Sequence, residues 1–156
     1  MSVVRDFVRT YTPQAETQIA FAWNGKHASE FVDTNMQFRQ EVCDCFNEEK
    51  DTFSLTLIAA LYKAETLFAR EAWGVNSVVS ELAQALLERG GVEQLDVYMA
   101  GARCGMDAYM ESGNIRLSKS RCQELLDRCL ANARATDGSG SQWTMLAERF
   151  SYFLTQ

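Results

Sequence analysis

Proline occurs once in this chain, at Pro13, and histidine once, at His27. A single proline excludes a Pro-rich linker. A single histidine, with no serine or cysteine motif beside it, is poor ground for a nucleophile–base pair. No uncharged apolar run approaches the roughly 18 residues of a membrane-spanning helix. The opening "MSVVRDFVRTY" carries charge within its apolar run, where a secretory leader has an uncharged core. Neither G-x-G-x-x-G nor G-x-x-x-x-G-K-[ST] occurs, so phosphate cradling has no support. Basic residues are also short: 15 Lys and Arg stand against 21 Asp and Glu, a net charge of −6. An acidic chain repels phosphate, so no nucleic-acid partner is expected, and without a spanning segment no membrane partner is expected either. Five cysteines without a leader point to a reducing compartment, and the expected location is the cytoplasm.

What is present suits a packed core. Hydrophobic residues make up 47% of the 156 positions and aromatics 11%, which excludes a disordered chain. A chain of this length buries enough surface to sustain one core. The expectation is one all-helical domain over 1–156.

Apolar spacing and stop signals set out the helices. Val3, Val4, Phe7 and Val8 recur at helical spacing behind Ser2, a candidate N-cap. Thr12 and Pro13 open a second segment that Gly25 closes. From Ser29 to Asn47, Phe31, Phe38, Val42 and Phe46 share one stripe. Leu55, Ile58, Leu61, Tyr62 and Phe68 mark a helix from Thr52 to Trp73. Val78, Val79, Leu82, Leu86 and Leu87 mark another, ended by Gly90-Gly91. Leu95, Tyr98, Met99, Ala102, Met106 and Tyr109 predict a helix over 93–111. Its second flank is small or apolar too, including Gly101 and Gly105, which suggests a central helix approached closely by its neighbours. Ser120-x-x-Gln123 reads as a capping box before Cys122, Leu125, Cys129 and Leu130. A flexible loop is expected near 136–141, before a last helix with Trp143, Leu146, Phe150 and Phe153. No run alternates with period two, so the predicted fold is all-α: a globular bundle of six to seven helices around the one near 93–111.

Two constellations invite a chemical reading. Cys43-Asp44-Cys45 sets two thiols at i and i+2, which in a helix point about 200° apart. They cannot share a metal while the helix is intact, and both read as core cysteines. Leu82 to Glu111 has the outline of a helix-turn-helix. Its second helix carries Glu93, Asp96, Asp107 and Glu111 against Arg103 alone, the wrong charge for a DNA groove. No catalytic, metal or cofactor residue is assigned, and an enzyme is not expected.

The remaining feature is an acidic ridge. Glu30, Gln37, Glu41, Asp44 and Glu48 recur at spacings that place them on one side of one helix. Such ridges steer association and select partners. The expected function is an interaction module that binds a basic protein through Glu30, Glu41, Asp44 and Glu48. An immunity, inhibitor or chaperone-like role fits the size and the acidity. The alternative is a helical small-molecule or cofactor-binding domain, with Trp73, Trp143, Tyr98, Tyr109 and the methionines lining an interhelical pocket.

Overall fold

The computed structural model describes residues 2–136 and 141–156. The loop expected near 136–141 falls on residues 137–140, outside the described ones. Among the described residues there are eight α-helices and no strand, and the chain is an all-α globular protein.

Helix α1 spans Val3–Thr10. The Ser2 hydroxyl accepts the Arg5 amide at 3.1 Å, satisfying one of the amides left open at a helix start. The next two predicted helices do not form as expected. Pro13–Gln18 makes only a short 3₁₀ turn, and the helix predicted over 29–47 begins at Met36. Two short polar side chains explain the difference, because Asn and Asp offer the backbone an alternative to helical bonding. Asn24 Oδ1 accepts the amides of Lys26 and Val32 at 3.1 and 3.2 Å, and its Nδ2 donates to the Glu30 carbonyl at 2.7 Å. Asp33 Oδ1 accepts the amides of Ala22 and Asn35 at 3.0 and 3.2 Å. Residues 22–34 therefore close as a loop, with a single antiparallel bridge between Trp23 and Asp33.

Helix α2 (Met36–Glu48) and helix α3 (Leu55–Glu71) follow. The Ser54 hydroxyl caps α3 by accepting the Leu57 amide at 3.2 Å. Leu57, Ile58, Leu61 and Tyr62 are fully buried, and α3 packs against α4 (Val78–Gly90), α5 (Leu95–Ala102) and α6 (Met106–Ser112). The centre of the fold is thus the α3–α4 pair, since α4 also packs against α5, α6 and α2.

The helix predicted near 93–111 is broken in two. Gly105 stands between α5 and α6 at φ 149° and ψ 177°, a backbone region essentially restricted to glycine. The break lets α6 fold back onto α3. The Tyr62 hydroxyl donates to the Tyr98 carbonyl at 3.0 Å, so the Ser112 hydroxyl, 2.8 Å from it, is the donor in their contact. The Tyr98 hydroxyl donates to the Ser112 carbonyl at 2.8 Å.

Helices α7 (Lys119–Ala135) and α8 (Ser141–Leu154) pack on each other as the most extensive pair in the fold. The α7 cap is Ser118, whose hydroxyl accepts the Arg121 amide at 3.3 Å, and not the predicted Ser120 box. Leu146 and Phe150 carry α8 into one continuous apolar cluster that begins at Phe7.

Candidate functional site

Helix α2 is two-faced. Val42, Cys43, Cys45 and Phe46 are buried, while Gln37, Glu41, Asp44 and Glu48 are exposed. Glu41, Asp44 and Glu48 line one shallow groove of about 290 Å³ together with Cys45 of the same helix and with Ser2, Val4 and Arg5 from the start of α1. Arg5 is the one cation in this lining, and Glu49 holds it at 3.0 Å. Among the described residues Glu41, Asp44 and Glu48 form no ion pair. Three carboxylates therefore face solvent together, with the nearby guanidinium already engaged.

Glu30 does not belong to this face. It ends the 3₁₀ turn Ala28–Glu30, outside α2, and pairs locally with Lys26 at 3.7 Å. The Asn24 and Asp33 contacts that divert residues 22–34 from a helix also remove Glu30 from the ridge. The spacing argument presumes one helix from 29 to 47, and the structure corrects that premise.

A buried charge cluster backs the acidic face. Arg39 lies on the inner side of α2 with its side chain 1% exposed. Its Nη2 donates to Asp33 Oδ2 at 2.7 Å, its Nε to Glu65 Oε2 at 3.2 Å, and its Nη1 to the Ile19 carbonyl at 3.3 Å. Asn76 Nδ2 donates to Glu65 Oε1 at 3.3 Å, and Cys43 Sγ points at the same oxygen from 3.8 Å. Burial pushes the Glu65 carboxyl up, and the Arg39 charge opposes it. Burial, reinforced by the Glu65 charge, pushes the Cys43 thiol far above its ordinary range. A thiol so protonated and enclosed is no nucleophile. The cluster holds the 19–35 loop, α2 and α3 together. Buried charges are tolerated only when paired and hydrogen-bonded, and each member here is.

Sequence spacing carries a signal for Arg39 that the apolar reading passes over. Arg39 stands three, four and seven residues before Val42, Cys43 and Phe46, on the buried stripe itself. Glu65 likewise stands three and four residues after Tyr62 and Leu61 on α3. A charge of each sign on two apolar stripes marks a buried pair.

The other candidates are placed as follows. Cys43 faces Glu65, whereas Cys45 Sγ approaches Glu49 Oε2 at 4.0 Å. His27 is exposed and packs edge-on against Trp23, centroids 5.0 Å apart. Of the aromatic residues of the pocket alternative, Tyr98 and Tyr109 meet at Arg149, which donates to the Tyr98 hydroxyl at 3.0 Å and lies 3.7 Å from the centroid of the Tyr109 ring, whereas Trp73 stands apart. Trp73 is 94% exposed in the turn after α3, while Tyr98 is fully buried and stacked on Tyr62. Among the described residues no helix is long and apolar enough to cross a membrane. No family model, no curated protein and no solved structure matches the chain.

Proposed function

We propose that the chain is a non-catalytic interaction module that docks a basic partner protein on the acidic face of α2. The observation that carries this reading is the shared groove of Glu41, Asp44 and Glu48, exposed and without ion-pair partners among the described residues. The buried Arg39 cluster fixes the opposite side of the same helix, so the three carboxylates are presented on a rigid element. Preorganised charge raises association rates and rejects acidic competitors more than it adds raw affinity. An immunity, inhibitor or chaperone-like role is the kind of activity this supports, within the cytoplasm.

The test is affinity capture from the cell of origin with the parent and the E41K/D44K/E48K variant. An equal charge change at Glu93, Asp96 and Glu148, exposed residues outside α2, is the control. The expected result is a basic partner retained by the parent and the control, lost by the α2 variant, and released as salt screens charges beyond about 8 Å. Equal loss in both variants would assign the effect to net charge. Retention by both would remove the α2 face from the function.

A further inference from the structure

A second groove has the opposite character. It has a volume of about 720 Å³ and runs between residues 113–117 and the end of α8, where Tyr152, Phe153 and Gln156 form the facing wall. Among the described residues no Asp or Glu side chain lines it, although acidic residues outnumber basic ones 21 to 15 in the chain. Arg116 and Lys119 do line it. Among the described residues neither pairs with a carboxylate, and the Lys119 ammonium reaches only the Leu154 carbonyl at 3.3 Å. Tyr152 leaves 61% of its surface exposed there.

The backbone of this groove is half used. Residues 115–118 are neither helix nor strand. The Arg116 amide donates to Gln84 Oε1 at 2.8 Å and the Ser118 amide to Glu88 Oε2 at 3.0 Å. Gln84 and Glu88 lie one turn apart on α4, and together they hold alternate amides of the segment. The intervening amides of Ile115 and Leu117 find no acceptor among the described residues.

We propose that this groove docks an extended acidic peptide from a partner protein. Its carbonyls accept the Ile115 and Leu117 amides, its carboxylates meet Arg116 and Lys119, and an apolar side chain lies on Tyr152 and Phe153. An extended chain suits the site because its carbonyls are free and its side chains alternate between two faces. A helical ligand has already spent its backbone groups internally. The charge selects carboxylates over ammonium groups. This site stands apart from the α2 face and does not depend on it.

A displayed library of random eight-residue peptides, selected on the parent protein, tests the proposal. Selected peptides are expected to alternate Asp or Glu with aliphatic or aromatic residues. A labelled synthetic copy of the consensus should lose about tenfold or more in affinity against R116E/K119E, and nothing against E41K/D44K/E48K. Its binding should shift the ¹⁵N–¹H signals of Ile115 and Leu117. Because Arg116 and Lys119 are exposed, thermal melting should show R116E/K119E folded. The proposal is overturned by no enrichment, by acidic peptides that bind R116E/K119E equally well, or by equal competition from a single-stranded oligonucleotide of matched charge. Basic peptides lost only on the α2 variant would overturn it too, while supporting the acidic face.

Discussion

Arg39 of α2 and Glu65 of α3 meet in the interior, Nε to Oε2 at 3.2 Å, with side chains 1% and 5% exposed. Asp33 closes the other side of the guanidinium at 2.7 Å. The loop before α2, α2 itself and α3 are thereby tied at one point. The same contact decides which side of α2 is buried, and so which side shows its carboxylates to solvent.

Replacing Arg39 by Ala should cost about 3–5 kcal/mol, because it leaves two buried carboxyl groups without their cation. Neutralising the cluster as a whole, in D33N/R39M/E65Q, should recover a substantial part of that loss. Urea unfolding of the three proteins measures both. A loss under about 1 kcal/mol for R39A would mean that the cluster is hydrated and not an interior tie.

Glu65 also predicts a pH dependence. Burial raises its carboxyl in the folded state, so the fold binds this proton more readily than the unfolded chain does. Its contribution is then fully present below the unfolded value of about 4.3 and is lost as pH rises through the raised folded value. Arg39, Asp33, Cys43 and Asn76 are the polar groups that face it, and all remain in E65Q. The stability advantage of the parent over E65Q should therefore grow as pH falls through that window. Denaturant unfolding of both proteins at several pH values reads this difference; an advantage that shrinks on acidification would reverse the assignment.

Much of the helical order was legible from apolar spacing with a local cap: Ser2 before Val4, Phe7 and Val8, and the stripes of α3, α4 and α8. What was not legible depends on contacts across longer separations. Asn24 reaches Glu30 and Val32, and Asp33 reaches Ala22, so residues 22–34 leave the helical path although Phe31 fits the stripe. Periodicity passed through Gly105 because apolar residues stand on both sides of it, yet its backbone angle ends one helix and permits the next. Of the ridge, Glu41, Asp44 and Glu48 were readable because they lie within one true helix, and Glu30 was not. The groove at residues 113–117 has no periodic signal at all, since backbone amides and an α4 edge define it.

The five cysteines should differ sharply in reactivity. Burial raises the thiols of Cys43, Cys45, Cys122 and Cys129, the last to about 12. Cys104 is half-exposed in the turn after α5. A thiol reagent added to native protein at neutral pH should modify Cys104 first, with the enclosed Cys43 and Cys129 following only on the timescale of unfolding. Equally fast reaction of Cys43 would show that the interior around Glu65 is open to solvent.

Gly101 and Gly105 should fail for different reasons when changed to Ala. A Cβ at Gly101 would overlap the Cε2–Cζ edge of the Tyr62 ring, closer than real side-chain contacts come. The ring must move, at an overpacking cost of about 1–3 kcal/mol and at the expense of its bonds to Tyr98 and Ser112. Gly105 is exposed, and a Cβ there meets nothing within 4 Å. The expectation that Gly105 packs against a neighbouring helix is overturned; G105A should cost about 1–3 kcal/mol through backbone strain alone. Both variants should therefore lose stability, and G101A should be the one that alters the tyrosine near-UV signal. An unchanged signal in G101A would contradict the packing described.

Charge reversal should separate exposed acids from acids that the fold uses. Glu41, Asp44 and Glu48 touch no cation and no amide among the described residues, so E41K, D44K and E48K should each change stability by no more than about 0.5 kcal/mol. Glu88 differs, although it too reads as a surface acid on α4. Its carboxylate accepts the Ser118 amide at 3.0 Å and the Ser118 hydroxyl at 2.9 Å, which fixes the residue that caps α7. E88K removes both acceptors and places an ammonium against the start of that helix, where positive charge is unfavourable. The cost should reach about 1–3 kcal/mol, from lost charge-assisted hydrogen bonds. Thermal unfolding of the four single variants at equal ionic strength measures the contrast. If E88K were as stable as E41K, α7 would not depend on this cap. If the three α2 reversals were costly, loss of a partner in the triple variant would report on folding instead of docking.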